Sequence, residues 1–497
     1  YLLDTLEIDG VKCVDLGFVP FHSESFGFTG HLYTTLDNSW FVKKVSLSVP
    51  EDINLNFVDR MTIEQDFSRL PDGTRLITGD DITVEFKLAP YTQGIYIKRT
   101  NHYRNYLFDT LPPDTVFQAE APVLDHPRAF QRTDKFWDTH RPIPLTAQED
   151  YVQHLTESLR QQSFYHYAEK IITILTDGYI ATSSRSKFDF GPINTLISGN
   201  STEGVRFRIG GITTANLSNR LFGRGYIAYG TRDHKFKYGA ALEYSFRPKK
   251  MYANEFPVHS LTLSYSYDLN QLGQQYLYTN KDNVFLALKR KKDRLSTYLR
   301  QASIKYNHEY YSGFSYTLAF RHRTEYATPD LPFREKWPQG IRFLRNYSMS
   351  EFELRFRYAY KEKFYQTKSS RHTVTPESPV VTLSHVFAHK GFIGADYSYN
   401  RTEATFRKRI RFSAYGYTDF VLKAGKVWDA VPFPLLLLPD ANLSYTMQPE
   451  SYTLLNAMEF INDQYIACDI TYFMNGLILN HIPLIKRLKW REIFTFK

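Results

Sequence analysis

The chain has 497 residues and a formal net charge of +9, and Phe, Tyr and Trp make up 16% of it. No run of about 18 apolar residues occurs, which excludes a transmembrane helix. No long Lys/Arg run provides a nucleic-acid-binding arm, so we expect no nucleic-acid partner. A polar, aromatic-rich sequence without a long apolar run is typical of a transmembrane β-barrel, in which lumen-facing polar residues alternate with lipid-facing apolar ones.

Residues 1–110 are predicted to form a small soluble β-domain. The stretch FTGHLYTTLDNSWFVKKVSLSVP (28–50) predicts two strands around the turn Asp37-Asn38-Ser39. A second turn, Pro71-Asp72-Gly73, separates further strands within residues 61–88. The modest alternation of apolar and polar residues indicates a sheet with one face in water.

Residues 111–200 are predicted to be a linker with amphipathic helices. Residues 111–145 lack periodicity, whereas residues 146–179 show apolar side chains at helical spacing. Thr146 and Glu149 match a capping box, and Gly178 is suited to end the helix. The residues Gln161-Gln162-Ser163 predict a break into two helices.

Residues 201–497 carry the pattern of a large antiparallel transmembrane barrel. In EFELRFRYAYKEKF (351–364), large apolar residues alternate with charged ones, so that a strand here has one apolar and one charged face. The residues predicted to face lipid are Phe352, Leu354, Phe356, Tyr358, Tyr360, Leu261, Leu263, Tyr265 and Tyr267. The residues predicted to face the lumen are Glu353, Arg355 and Arg357. A soluble sandwich with a shared core is the alternative interpretation.

About fourteen strand segments are visible in this region, many of them as long as the roughly 9–11 residues that a tilted membrane strand needs. They lie near 203–217, 221–232, 236–248, 259–270, 282–291, 299–310, 313–325, 348–362, 378–388, 392–406, 408–427, 453–461, 464–478 and 487–497. Short connections alternate with long ones, such as 326–347 and 428–452. The last segment ends in FTFK, so we expect sequence beyond one or both ends of the chain.

Three blocks resemble an uncharacterised family of Bacteroidota outer-membrane barrel proteins, whose members usually carry an upstream carboxypeptidase-regulatory-like domain. NSTEGVRFRIGGITTANLSNRLFGRGYIAYGTRDHKFKYG (200–239) is similar to the start of the family's barrel, and residues 451–493 are similar to its near-C-terminal block. Residues 28–67 are similar to its pre-barrel domain. The resemblance implies an outer-membrane location, with the N-terminal domain in the periplasm.

The family in turn distantly resembles the BamA/two-partner-secretion barrel superfamily, which implies about sixteen strands in the full protein. It also implies that residues 430–450 occupy the place of an inward-folding loop, with Pro434, Leu435, Leu436, Leu437, Leu438 and Pro439 as the candidate inward segment. The superfamily's V-R-G-F/Y motif is absent from these residues. The kinship therefore supports the architecture more than the activity.

No catalytic residue, cofactor site or metal site is predicted. Asp80 and Asp81 are adjacent and can contribute to a Ca²⁺ site, but we expect a solvated turn there. His385 and His389 have the spacing of metal ligands only on a helix, and their segment is predicted as a strand end. Gly223 and Gly225 are expected to relieve crowding in a strand rather than to bind a nucleotide.

Two basic clusters, KRKKDR (289–294) and RKRIRF (407–412), can meet anionic lipid or the phosphates of lipopolysaccharide, or lie at solvated strand ends. We therefore expect outer-membrane lipid and lipopolysaccharide as partners, together with other envelope proteins. The predicted function is assembly or translocation of proteins or lipids in envelope biogenesis or export. The alternatives are a passive channel or small-molecule transporter, and a structural barrel; none of these requires an enzyme.

Overall fold

The computed structural model describes residues 1–21, 27–50, 58–87, 94–108, 132–141, 143–277, 279–367, 371–412, 415–486, 488 and 490–497. Within these residues the chain is mainly β. It contains a small N-terminal sheet and a large antiparallel sheet. None of the helices in the described ranges is both long and apolar enough to span a membrane.

The N-terminal sheet is a seven-stranded antiparallel meander in which each strand pairs with the next along the chain. Its strands are β1 (Leu2–Ile8), β2 (Val11–Phe18), β3 (Thr29–Thr35), β4 (Val42–Ser48), β5 (Val58–Arg69), β6 (Arg75–Phe86) and β7 (Ile95–His102). The predicted turn at Asp37 joins β3 to β4. The Asp37 carboxylate accepts hydrogen bonds from Ser39 Oγ at 2.6 Å and Thr35 Oγ1 at 2.5 Å. These hydrogen bonds lower the pKa of Asp37 to about 2.

Three helices lie between the two sheets in the sequence. Helix α1 (Asp134–His140) occupies part of the stretch 111–145 that was predicted to be irregular, so that prediction was wrong for these residues; residues 111–131 lie outside the described ranges. Helices α2 (Ala147–Gln161) and α3 (Ser163–Asp177) confirm the predicted break at Gln162. Gly178 ends α3 in the left-handed conformation, with its N–H donated to the Ile174 carbonyl at 2.9 Å.

The large sheet has fifteen strands among the described residues. Fourteen form one antiparallel path in the order β26-β25-β24-β23-β22-β19-β16-β15-β14-β13-β12-β11-β9-β8, and β10 pairs with β11. The first members are β8 (Ile180–Ala181), β9 (Phe188–Phe190), β10 (Ile197–Asn200), β11 (Gly204–Thr213), β12 (Leu221–Gly230), β13 (Phe236–Ser245), β14 (His259–Gln271) and β15 (Ser296–Glu309). The others are β16 (Phe314–Tyr326), β19 (Asn346–Ala359), β22 (Val380–Ala388), β23 (Tyr399–Arg411), β24 (Tyr417–Val427), β25 (Gln464–Phe473) and β26 (Ile493–Phe496).

The path is open, because no strand pair among the described residues joins β26 to β8. The described strands thus confirm a large antiparallel sheet, and they do not confirm its predicted closure into a barrel. Long connections leave the sheet at both ends of its strands. The segments 272–295 and 428–463 lie at one end, and the segment 360–379 lies at the other.

Two predicted strands are absent from the large sheet. The stretch 282–291 is irregular because its backbone bonds to residues 428–463 instead of a neighbouring strand: Arg290 N donates to the Leu443 carbonyl at 2.7 Å, and Leu288 accepts from Tyr445 N at 3.1 Å. The stretch 453–461 contains a turn in which Glu459 accepts from Asn456 N at 2.8 Å, and Met458 has φ of 58°.

Further corrections concern the connections. The strand predicted at 392–406 begins only at Tyr399, after residues 392–394 form a short 3₁₀ turn, and it continues to Arg411. The predicted loops also contain small hairpins: β17 (Phe333–Trp337) pairs with β18 (Gly340–Leu344), and β20 (Phe364–Gln366) pairs with β21 (Arg371–Thr373). A short helix, α4 (Pro483–Lys486), precedes β26.

Candidate functional site

One face of the large sheet, called here the apolar face, carries a continuous set of large apolar side chains. The strand register places Leu263, Ile304, Phe320 and Phe352 in one row across β14, β15, β16 and β19. In the described part of the chain, no second sheet covers this row: 46% of Leu263 is exposed, and Ile304 and Phe356 are also exposed.

All nine residues predicted to face lipid lie on this apolar face. Leu261, Leu263, Tyr265, Phe356, Tyr358 and Tyr360 are exposed. Phe352, Leu354 and Tyr267 are half-buried, with Phe352 stacked on Phe387 at 5.1 Å between ring centroids. The structure therefore brings the two predicted sets together on one surface, and their contact with lipid stays a prediction.

Aromatic rings gather towards both ends of the strands on the apolar face. At one end lie Tyr244, Phe246, His259, Tyr306, His308 and Tyr316, with Phe246 and His259 at 4.6 Å and Tyr306 and Tyr316 at 6.0 Å between ring centroids. At the other end, Tyr229 lies 5.0 Å from Phe236 and Tyr267 lies 5.9 Å from Tyr298. Aliphatic side chains such as Leu242, Leu263 and Ile304 lie between these two groups. Aromatic girdles flanking an aliphatic band are typical of the lipid-facing surface of a membrane barrel.

The opposite face, called here the charged face, buries ionised side chains. The predicted lumen-facing residues lie on it: Glu353 is buried and its carboxylate is 2.6 Å from Arg321 Nη1 and 2.7 Å from Arg355 Nη2, while Arg357 pairs with Glu362 at 2.8 Å. The neighbouring Glu351 accepts a hydrogen bond from Tyr399 Oη at 2.7 Å and pairs with Arg323 at 2.8 Å.

A second ionic cluster on the charged face centres on Arg206, whose side chain is completely buried. Its guanidinium donates to Glu203 at 2.8 Å and to both carboxylate oxygens of Asp268 at 2.8 and 3.1 Å, and it lies 3.2 Å from Asp282. Lys237, also completely buried, contacts Glu203 at 2.7 Å. The sequence pattern did not predict this cluster, because Asp268, Asp282 and Lys237 come from strands and a connection other than β11.

The candidate inward segment packs on the charged face. Leu435 and Leu437 are buried in a hydrophobic cluster with Met349, Val386 and Tyr399. The other cluster members are Phe333, Tyr347, Ala388 and Val427, with the flanking Phe433 and Leu436 half-buried. Mutual backbone hydrogen bonds between Leu437 and Asn462, at 2.8 and 3.0 Å, tie the two ends of the connection together.

Glu450 fixes the same connection to two strands of the charged face. Its carboxylate accepts two hydrogen bonds from Arg407 at 3.0 and 2.9 Å and lies 2.6 Å from Lys423 Nζ. Burial alone would raise the pKa of Glu450, but these hydrogen bonds and charges outweigh burial and lower it to about 2. Glu450 therefore stays ionised at neutral pH.

The remaining motifs make local contacts within the sheets. Asp80 and Asp81 lie within β6 rather than at a turn, so that expectation was wrong; Asp80 is buried and accepts hydrogen bonds from Asn101 at 3.0 Å and Gln65 at 3.2 Å. His385 is in β22 and lies 2.9 Å from Thr402 Oγ1, whereas His389 follows the strand. No group of three or more His, Cys, Asp or Glu side chains in the described ranges is arranged to hold a metal ion.

The glycines and basic clusters also have local partners. Gly225 lies so close to the neighbouring strand that a Cβ would be 3.2 Å from the Gly239 carbonyl oxygen, as expected for a glycine that relieves crowding. In the basic cluster 407–412, Arg409 pairs with Asp419 at 2.6 Å. In the cluster 289–294, Arg290 donates to the carbonyls of Asn442 at 2.7 Å and Thr453 at 2.8 Å.

Comparisons with known proteins identify a family and similar solved structures. A family model described as the C-terminal domain of a family of unknown function, DUF5686, matches residues 172–497. Among solved structures, the FrpB iron transporter from Neisseria meningitidis (F3-3 variant) is similar at 11% identity and a TM-score of 0.25, over 90% of this chain and 57% of that chain. This chain thus spans little more than half the length of that structure. No curated protein matches the chain.

Proposed function

The chain belongs to the DUF5686 family, and we propose that it is an outer-membrane β-barrel protein that acts in envelope biogenesis or export, by assembling or translocating proteins or lipids. The observation that carries the membrane part of this proposal is an inverted distribution of side chains. Large apolar side chains are exposed on one face of the large sheet, whereas Arg206, Lys237 and Glu351 are buried on the other.

This distribution is unfavourable in water and favourable in lipid. A soluble sandwich buries the apolar face of each sheet against a second layer, and contiguous exposed apolar patches larger than a few hundred Å² are rare on soluble monomers. The row through Leu263, Ile304 and Phe320 extends over several strands without such a layer. In a bilayer the same row contacts acyl chains, and every backbone group of the central strands is already paired within the sheet.

We propose that the sheet closes around its charged face. Closure removes the sheet edges, whose unpaired backbone groups are costly in hydrocarbon, and places the ionic clusters in a polar interior. We propose that outer-membrane lipid and lipopolysaccharide are the partners that contact the apolar face. The N-terminal sheet is proposed to lie in the periplasm.

A role in biogenesis or export is favoured over a permanently open channel by the packing of the inward segment. Leu435 and Leu437 bury their side chains on the charged face, and Glu450 pairs there with Arg407 and Lys423. An interior that holds this segment has less room for continuous diffusion. The charged lining itself favours the second candidate, a channel or small-molecule transporter, because polar interiors are typical of such barrels. We assign no catalytic role to the chain.

The relation to the BamA/two-partner-secretion superfamily and to Bacteroidota proteins is part of this proposal. It is supported by the sequence blocks at 28–67, 200–239 and 451–493 and by the position of the inward segment on the charged face. The V-R-G-F/Y motif is absent from residues 430–450, so the proposal does not include that superfamily's mechanism.

The membrane part is tested by extracting the full-length protein in mild detergent and comparing its gel mobility with and without boiling. A shift on boiling is expected for a closed, detergent-stable barrel. Recovery in the soluble fraction with no shift would show that the apolar face meets protein or water, and the proposed function would fail.

The functional part is tested by depletion in cells and by conductance in planar bilayers. Depletion is expected to lower the amount of other outer-membrane proteins or of lipopolysaccharide, with little steady conductance from the purified protein. Stable conductance with unchanged envelope composition would instead support the channel, and the biogenesis role would be abandoned.

A further inference from the structure

A cavity of ≈ 540 Å³ lies between the charged face and the connection 428–463. Side chains of β23, β24 and β25 line one side of it, among them Arg401, Lys423 and Tyr465. The connection lines the other side with Leu436, Leu438 and Asp440. This volume is within the range of about 300–1,000 Å³ found for small-molecule sites.

Most of the charged groups in the lining neutralise one another. Arg407 and Lys423 both contact Glu450, and Asp469 pairs at 3.1 Å with Lys497, which lies outside the lining. Arg401 Nε makes no hydrogen bond, but it lies 3.3 Å from Glu403 Oε2. Each of these cations therefore already faces a carboxylate within the cavity wall.

Asp440 differs from the other carboxylates of the cavity. Its Oδ1 is buried and has no hydrogen-bond partner within the described part of the chain. Its backbone is fixed, because the Asp440 carbonyl accepts from Tyr452 N at 2.7 Å and the next residue, Ala441, donates to the Gly273 carbonyl at 2.8 Å. A buried carboxylate oxygen without a donor is costly, so the cavity favours a ligand that brings one.

We propose that this cavity binds a small organic cation whose ammonium group donates to Asp440 and whose apolar part packs on Leu436, Leu438 and Val421. An ammonium supplies the missing hydrogen bond and carries a positive charge that the Asp440 carboxylate attracts. The apolar wall disfavours a bare metal ion, which needs several oxygen ligands. A carboxylate ligand would meet Asp440, Glu403 and Glu450 in the same space.

The proposal is tested by isothermal titration calorimetry of the full chain in non-ionic detergent at pH 7.5, with hexylammonium, hexanol and hexanoate as probes. Asp440→Asn removes the proposed charge, and Asp330→Asn is the matched control at an exposed carboxylate in another connection. Hexylammonium is expected to bind the wild type and Asp330→Asn alike and to bind Asp440→Asn at least tenfold more weakly. Hexanol is expected to bind no more tightly than hexylammonium binds Asp440→Asn.

The same titrations also define the results that would contradict the proposal. The proposal would be overturned by any of three results: no saturable binding of hexylammonium to the wild type, equal affinity in Asp440→Asn, or tighter binding of hexanoate.

A second measurement uses the wild type alone, in case Asp440→Asn does not fold. Burial raises the pKa of Asp440 to about 6, so hexylammonium is expected to bind about tenfold more weakly at pH 5 than at pH 7. The same affinity at both values would contradict it. The site does not depend on whether the apolar face meets lipid, so its failure leaves the proposed function standing.

Discussion

Arg206 shows what the charged face demands of single residues. A completely buried guanidinium is stable only because Glu203, Asp268 and Asp282 surround it, and these carboxylates depend on the guanidinium in the same way. The cluster joins β11 to β14 and to the connection 272–295. One side chain thus holds two strands and a connection together.

Replacing Arg206 by Met is expected to destabilise the protein by about 3–5 kcal/mol, because three buried carboxylates lose their common cation. The measurement is urea unfolding in detergent, followed by tryptophan fluorescence. Arg355→Met is the control. Arg355 lies on the same face and also contacts a carboxylate, but 53% of its side chain is exposed. Its replacement should therefore lower the free energy of unfolding by less than about 1 kcal/mol. Equal costs for the two variants would mean that the face around Arg206 is solvated.

Asp440 predicts a pH dependence of stability. Burial, opposed by Lys423 and reinforced by Glu450 and Glu403, raises its pKa to about 6 in the folded chain, against about 3.9 when unfolded. Between these values the folded state binds more protons, so the free energy of unfolding falls as pH rises through this window. Once the pH is well above 6, the Asp440 carboxyl is ionised in the folded chain and the full loss of stability is present.

Asp440→Asn removes this titration while keeping the size of the side chain. Between pH 4 and pH 7, the free energy of unfolding of Asp440→Asn is expected to rise relative to the wild type by about 1–3 kcal/mol. Unfolding curves of both proteins at the two pH values give this difference directly, and other titrating groups cancel in the comparison. A constant difference across the window would show that Asp440 is solvated.

At the scale of elements, the alternation of apolar and charged residues located the long strands and their faces. It identified β14, β16 and β19 and assigned all nine apolar residues to one surface, because the period of two is a local property of the chain. It failed where hydrogen bonds are made over long sequence distances. Residues 282–291 have apolar positions like a strand, but their backbone partners are Leu443 and Tyr445, about 150 positions later in the sequence.

The site was predictable to a similar extent. Pro434–Pro439 stood out as an apolar run in a long connection, and the structure packs two of its leucines on the charged face. The Arg206 cluster and Asp440 were not predictable, because their partners come from separate strands and connections. No local spacing records which carboxylate reaches which cation.

The inward segment is expected to be held mainly by its two buried leucines. Leu435→Ala removes a completely buried side chain and should cost about 2–5 kcal/mol, with faster proteolysis within 428–463. Leu454→Ala is the control in the same connection, because Leu454 is 89% exposed and should change neither stability nor cleavage. Limited proteolysis in detergent separates the two; similar cleavage of both variants would show that the segment is not held through Leu435.

At the scale of the whole molecule, the two faces of the large sheet differ in polarity. This difference determines which surroundings, water or lipid, each face favours. Its charged face carries buried ion pairs and contacts the connection 428–463, whereas its apolar face has aliphatic side chains at the centre and aromatic ones at both ends of the strands. The N-terminal sheet also exposes apolar side chains, such as Ile97 of β7. The two sheets are thus expected to respond differently to the same substitution.

Leu263→Arg provides that test. Leu263 is 46% exposed and Ile97 is 52% exposed, so in water both positions should tolerate arginine within about 0.5 kcal/mol. If the apolar face lies in lipid, Leu263→Arg places a charge near the middle of the bilayer and costs about 2–4 kcal/mol, whereas Ile97→Arg in the N-terminal sheet stays neutral. Refolding into phospholipid vesicles, with urea titration of the unboiled gel band, measures both variants. A neutral Leu263→Arg would place the apolar face outside the membrane.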